Sequence, residues 1–469
     1  MNKPACRVRV APLSSAASMI RAWVMGLGLI LVLGCRREGA LRIAVIGDFG
    51  GDTPAEAQVA ALVAGFQPDL VATVGDNNYP DGSAETIDRN IGKYYAKFIA
   101  PYRGAFGPGG ASNRFFPALG NHDWKTAGAQ PHLDYFELPG NERYYDLERG
   151  SVHLFFVDSD PHEPDGVTRD SRQALWLRDA LARSTAPHKW VCFHHPPFSS
   201  GPHGSTAELQ WPFRAWGATA VFTGHDHDYE RLDVGGMPYV VVGTGGMHLY
   251  PFRDPVAGSA VRIQKHGALR IDVTRAGAEA EFVSTEDASR DRFALPASSE
   301  LPAPAPLVPA GSSWKLLDGL EPRAGWFAVG FDASLWPAAA TPFRIVDRGA
   351  AAGAPPRTTY YRIEFQVTRP ESVAALELGL PRDHPGVAYL NGREVARIER
   401  SPLREEKWLV PRGPRADGTA EPILVHRLLD PGLLVAGANA LAFELHRVPA
   451  EGGDPSFDAE LVAYPRTVP

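Results

Sequence analysis

The stretch Gly224, His225, Asp226, His227 sets two imidazoles two residues apart, directly after an apolar run at 220–222. It closes a series of short polar segments: GDFG from Gly47, GDNNY from Gly75, GNHD from Gly120 and HHPP from His194. Together they offer carboxylates, an amide, a phenol and imidazoles, the mixture of oxygen and nitrogen donors that two adjacent metal ions require. Singly, each has a plainer origin, because an Asp or Asn after a strand commonly caps a helix or forms a turn, and a lone His is commonly structural. Turns alone do not readily produce five such segments, and most of them fall just after an apolar run, where open α/β sheets collect their ligands.

The runs themselves define the core. Residues 41–46, 70–74, 152–157, 189–193 and 220–222 read as buried strands, and 55–66 and 170–182 carry helical spacing of Ala, Val, Leu and Trp. This alternation predicts an α/β domain over 41–293. The next stretch, 294–313 (LPASSELPAPAPLVPAGSS from Leu295), is rich in Pro, Ala and Ser, has no periodicity, and is expected to be an extended linker. A second domain is then expected over 314–469. In it Tyr361, Ile363, Phe365 and Val367 alternate with Arg362, Glu364 and Gln366, and the run ending at Tyr389 and Leu390 meets the hairpin signal Asn391-Gly392. Strands without helices predict a β-sandwich there.

With 469 residues the chain exceeds what one hydrophobic core organises, and 44% hydrophobic content is that of an ordinary globular protein. A net charge of −7 argues against a nucleic-acid partner, which selects an excess of Lys and Arg. Lys3, Arg7, Arg9 and Arg21 precede an apolar run at 22–33, long enough for a signal-peptide core and shorter than the roughly 20 residues of a membrane span. The run ends in Val32, Leu33, Gly34, Cys35, which resembles a bacterial lipobox. That resemblance implies a signal peptide over 1–35, export to the cell envelope, periplasmic or outer-surface, and a membrane anchor through lipid on Cys35. Of the three cysteines, Cys6 and Cys35 belong to this leader, so Cys192 stands alone and is read as a buried, inert thiol.

The five segments, in this order over roughly residues 41–293, resemble the calcineurin-like metallophosphoesterases, in particular the purple acid phosphatase branch that includes the tartrate-resistant enzymes. The resemblance implies a four-layer αββα sandwich. Many members carry Asp-x-His in the first segment; here Asp48, Phe49, Gly50 lack that histidine, and Tyr79, three residues after Asp76, matches the tyrosinate ligand of the purple branch. By the resemblance, Fe(III) is held by Asp48, Asp76, Tyr79 and His227. A divalent ion (Fe, Zn or Mn) is held by Asp76, Asn121, His194 and His225, with Asp76 bridging. The family pattern His-x-Pro selects His194 over His195. Metal charges of about +5 against about −3 from Asp48, Asp76 and the Tyr79 phenolate leave roughly +2 for hydroxide and a phosphate group.

The expected reaction is therefore hydrolysis of small phosphorylated substrates, phosphomonoesters first, by hydroxide generated on the metals. His122, next to Asn121, is the candidate general acid, with Asp123 expected to orient its imidazole and His203 a second proton donor or phosphate contact. A phosphodiesterase or nucleotide hydrolase on the same site is the alternative within enzymes. Trp314, the YLNGREVAR segment from Tyr389 and GANALAFELH ending at His446 resemble the galactose-binding-like jelly rolls of secreted hydrolases. They imply carbohydrate as a partner and, as an alternative of another class, a carbohydrate-binding surface protein whose metal domain is idle.

Overall fold

A computed structural model describes residues 41–169, 171–287, 290–341, 343–344, 357–381, 385–398, 424–447 and 456–466. The leader over 1–35, with Cys6 and Cys35, lies outside the described residues.

Residues 41–295 build two facing sheets. The first has the order Arg290–Leu295, Gly277–Ser284, Gly267–Thr274, Leu41–Ile46, Leu70–Thr73, Phe115–Pro117. The second runs Ser259–Ile263, Tyr229–Val234, Met237–Val242, Ala220–Thr223, His188–Cys192, Val152–Phe156, Tyr145–Arg149. Their central strands pair in parallel. Strands covered on both faces need apolar residues at every position, so these segments read as continuous runs.

The period of two sorts each strand between layers. Ile43 and Val45 point into the space between the sheets, where they join Trp190, Phe222 and Val240. Ala44 and Ile46 point the other way, onto Val59 and Val63 of the helix Pro54–Phe66. On the far side, Val191, Val221 and Val241 meet Ala174, Leu177 and Leu181 of the helix Arg172–Arg183. The result is helix, sheet, sheet, helix, the four-layer sandwich expected. Both helices start on a cap: Thr53 accepts from the Glu56 amide at 3.0 Å and Ser171 from the Ala174 amide at 3.2 Å. Cys192 is fully buried and burial pushes its thiol pKa up, in keeping with an inert side chain.

The C-terminal region is all-β. A four-stranded sheet (Ala305–Val308, Glu460–Pro465, Val373–Pro381, Leu424–Leu429) faces a six-stranded one that contains Ser313–Asp318, Arg357–Val367, Gly437–Arg447 and the hairpin Gly386–Leu390/Arg393–Ile398. Asn391 and Gly392 turn that hairpin with φ of 52° and 83°, the left-handed pair that the Asn-Gly dipeptide supplies. Trp314, Tyr361, Phe443 and Leu378 fill the space between the sheets. Arg362 is buried too, under Trp326, to whose carbonyl it donates at 3.1 Å, so the alternate face of that strand lies under an aromatic layer.

The expected linker needs correction. Residues 294–313 are not one extended linker: Ser298–Glu300 form a 3₁₀ turn, and Ala305–Val308 pairs with Glu460–Pro465 and places Val308 in the second core, so the all-β region begins before Trp314. Pro306 is tolerated because this strand lies at a sheet edge, where a missing N–H breaks no ladder. Upstream, the Pro296 and Pro302 carbonyls accept hydrogen bonds from His188 and Arg214, which ties the segment to the first domain.

Candidate metal centre

Asp48, Asp76, Asn121, His194 and His225 each follow the carboxyl end of a strand, after Ile46, Thr73, Pro117, Cys192 and Thr223 respectively, and meet at one end of the sandwich. Three of them adopt a backbone conformation that L-residues avoid: φ is 55° at Asp48, 53° at Asp76 and 72° at His225. Such strain costs on the order of 1–3 kcal/mol per residue and persists where side-chain placement demands it. Glycine permits the close approach. A Cβ on Gly224 would lie 2.4 Å from Asp48 Oδ2, and one on Gly120 2.2 Å from the Asp76 amide nitrogen.

Two groups of donors share one carboxylate oxygen. In the first, the Tyr79 hydroxyl lies 2.8 Å from Asp76 Oδ2, 3.2 Å from Asp48 Oδ1 and 3.2 Å from His227 Nε2. His227 Nε2 is 3.4 Å from Asp48 Oδ1. In the second, His194 Nε2 lies 3.0 Å from Asn121 Oδ1, 3.2 Å from His225 Nδ1 and 3.3 Å from the same Asp76 Oδ2. Every candidate ligand is thus brought together, and among the described residues Asp48, Asp76 and His194 form a group with the spacing of a cation site.

The donor set fits a metal pair. Atoms held about 2.0–2.2 Å from one metal lie about 3–3.5 Å from each other, close to the 2.8–3.4 Å between the donors named in the two groups. The imidazoles are oriented for it: His227 Nδ1 lies 2.8 Å from the His248 carbonyl and His194 Nδ1 2.9 Å from that of Val74, which leaves each Nε2 lone pair facing the cluster. The protein alone balances the buried carboxylates with protons. Burial lowers the His194 pKa, but Asp76 and Asp48 outweigh it and carry it up to about 10. Burial, then the Asp76 and Asp48 charges, push the Tyr79 phenol well above its ordinary value, so a phenolate there needs a cation.

His195 is not among these donors: its Nδ1 lies 2.9 Å from Ser159 Oγ and its ring packs 4.5 Å from that of His225, and burial drops its pKa to about 3. His122 stands at the rim. Its amide donates to Asp76 Oδ1 at 2.7 Å, and Nε2 is 4.0 Å from Asp76 Oδ2. The expected partnership with Asp123 is corrected. The Asp123 carboxylate points inward, accepting from the Gly120 amide at 2.9 Å and the Asn77 side chain at 2.9 Å. It braces the loops of Asp76 and Asn121, and burial with the Asp76 charge raises its pKa to about 7. His122 Nδ1 instead lies 2.6 Å from the Pro80 carbonyl and 2.9 Å from Lys125 Nζ. His203 flanks the second group, its ring 4.2 Å from that of His225 and its amide donating to Asp226.

Several participants carry no sequence signal. Tyr250 stacks on His227 at 4.2 Å with the rings nearly parallel, and the His248 contribution is a carbonyl that any residue offers. Lys125 lies three residues past His122, a spacing that brings it back over the imidazole only because 123–125 form a 3₁₀ turn.

Residues 41–229 match the Calcineurin-like phosphoesterase family. The chain is 25% identical over 278 residues to tartrate-resistant acid phosphatase type 5 of Rattus norvegicus, covering 50% of this chain and 81% of the relative. It is 27% identical over 244 residues to purple acid phosphatase 15 of Arabidopsis thaliana, covering 44% of this chain and 45% of the relative. Among solved structures, a purple acid phosphatase from yellow lupin (Lupinus luteus) seeds superposes on 55% of this chain and 54% of its own, at 17% identity and a TM-score of 0.46. The match over 41–229 and the purple acid phosphatase homologues together indicate a metal-dependent phosphoester hydrolase. Its homologues include purple acid phosphatases.

Proposed function

We propose that the protein hydrolyses phosphomonoesters in the manner of a purple acid phosphatase, with Asp48, Asp76, Tyr79 and His227 holding Fe(III) and Asp76, Asn121, His194 and His225 a divalent Fe, Zn or Mn ion. The observation that carries this reading is Asp76 Oδ2, which lies 2.8 Å from the Tyr79 hydroxyl and 3.3 Å from His194 Nε2 and so belongs to both donor groups. When bound, the metal pair supplies positive charge for the phosphoryl oxygens and lowers the pKa of water. The residues supply the rest. Tyr79 is the only phenol among the named donors and directs the first site toward a ferric ion. His122 is placed to protonate the departing alkoxide through Nε2, 4.0 Å from Asp76 Oδ2; burial, against the opposing pull of Asp76, lowers its pKa, so the imidazolium that donates is formed on the acid side of the ordinary imidazole range. His203, whose ring lies 4.2 Å from that of His225, is the second candidate contact for the phosphate.

The decisive experiment compares p-nitrophenyl phosphate with bis-p-nitrophenyl phosphate at saturating metal. The monoester is expected to turn over faster, and a strong preference for the diester would replace this reading by a phosphodiesterase on the same site. The ferric assignment has its own test. Purified protein is expected to be coloured by tyrosinate charge transfer and Tyr79→Phe to bleach it; a colourless, iron-free, fully active enzyme contradicts the assignment.

The leader supports export and a lipid anchor at Cys35. Palmitate labelling of expressing cells is expected to mark the wild type and not Cys35→Ala; equal label in both removes the anchor.

A further inference from the structure

Lys125 is an exposed cation beside the residue placed to protonate the leaving group. Its Nζ donates to the Pro80 carbonyl at 3.1 Å and lies 2.9 Å from His122 Nδ1 and 3.3 Å from His122 Nε2. His122 Nδ1 is itself 2.6 Å from the Pro80 carbonyl, so ammonium and imidazole share one anchor, and the ammonium follows the edge of the ring. A carbonyl only accepts, so Nδ1 donates to it and has no lone pair for Lys125. An ammonium carries three donors, of which Pro80 takes one. Among the described residues Lys125 forms no ion pair with a carboxylate, those of the metal site included. Nζ lies nearer Nδ1, the nitrogen turned to Pro80, than Nε2, the nitrogen 4.0 Å from Asp76 Oδ2, which sets the ammonium outward of the metal donors.

We propose that Lys125 selects the leaving group: the preferred substrate is a phosphomonoester whose alcohol carries a carboxylate a few bonds from the ester oxygen, a phosphorylated hydroxy acid, and the ammonium binds that carboxylate while His122 faces the ester oxygen. The inference rests on the phosphomonoesterase reading and names its substrate class. The metal pair takes the phosphoryl oxygens, and the alcohol departs past His122, the side on which Lys125 stands. A singly charged carboxylate complements a single point charge with donors to spare. A second phosphate on the alcohol fits less well, because either end then competes for the metals.

Glycerol 1-phosphate and 3-phosphoglycerate both release a primary alkoxide and differ in a carboxylate, so the ratio of their kcat/KM values on the metal-loaded full chain is the readout. The wild type is expected to favour 3-phosphoglycerate about fivefold, the upper range for one exposed ion pair, through KM. The preference is expected to shrink at high salt. Lys125→Met, a surface substitution, is expected to bring the ratio to about one, and Lys125→Arg to preserve it. The side chain also touches His122, so Lys125→Met is free to slow both substrates, and a loss shared equally by the two does not count in favour. Equal kcat/KM values in the wild type overturn this inference alone, and so does a ratio unchanged in Lys125→Met. No turnover of either substrate removes the phosphomonoesterase reading and this inference with it.

Discussion

Asp76→Ala is expected to reduce turnover to background and to lower the metal content from about two ions per chain to less than one. The loss exceeds that of any other single ligand because one oxygen, Oδ2, sits in both donor groups, while Oδ1 accepts the His122 amide at 2.7 Å and holds the neighbouring loop in register. Removal of the carboxylate also changes the charge of the protein without metal. With Asp76 gone, the largest influence raising the His194 pKa disappears, and the imidazole beside Asn121 becomes less readily protonated. Elemental analysis of the purified variant, read beside its rate on p-nitrophenyl phosphate, checks both halves. Full metal content with full activity would remove the bridging role.

His122→Ala is expected to separate chemistry from assembly. Its side chain is in neither donor group, and the backbone amide that binds Asp76 survives the substitution, so both metals are expected to stay. Turnover should fall by about 10²- to 10⁴-fold, the range for a lost general acid. A leaving group that needs no proton isolates the cause: p-nitrophenolate should lose less rate than an alkyl alkoxide. Equal losses on both substrates would make His122 a structural residue, and so would a loss of metal.

The two-sheet sandwich was legible because its central parallel strands are apolar on both faces and stand out as uninterrupted runs. The helix from Pro54 was legible from its spacing, and its Thr53 cap marks its start. The metal donors were legible because they recur: an Asp, Asn or His after a strand has a plain structural reason on its own, but five such segments after buried strands have few. The orientation of Asp123 was not legible. Sequence adjacency to His122 pointed to a pair, whereas the backbone turn at 123–125 sends the carboxylate inward to Asn77 and returns Lys125 to the imidazole. Nor was the positive φ at Asp48, Asp76 and His225, since glycine is the residue that ordinarily signals it and here it stands one position earlier in each case, at Gly47, Gly75 and Gly224. The strand Ala305–Val308 was hidden because proline and alanine carry little β preference, and only the partner strand at Glu460–Pro465, distant in sequence, makes it one.

The chemistry proposed for this protein depends on the bridging carboxylate, and anomalous X-ray scattering from crystals of the metal-loaded protein tests it most directly. Two peaks about 3.5–4 Å apart are expected, one beside Tyr79 and His227, the other beside Asn121, His194 and His225, with Asp76 Oδ2 between them. A single peak, or a second one away from Asp76, would contradict it.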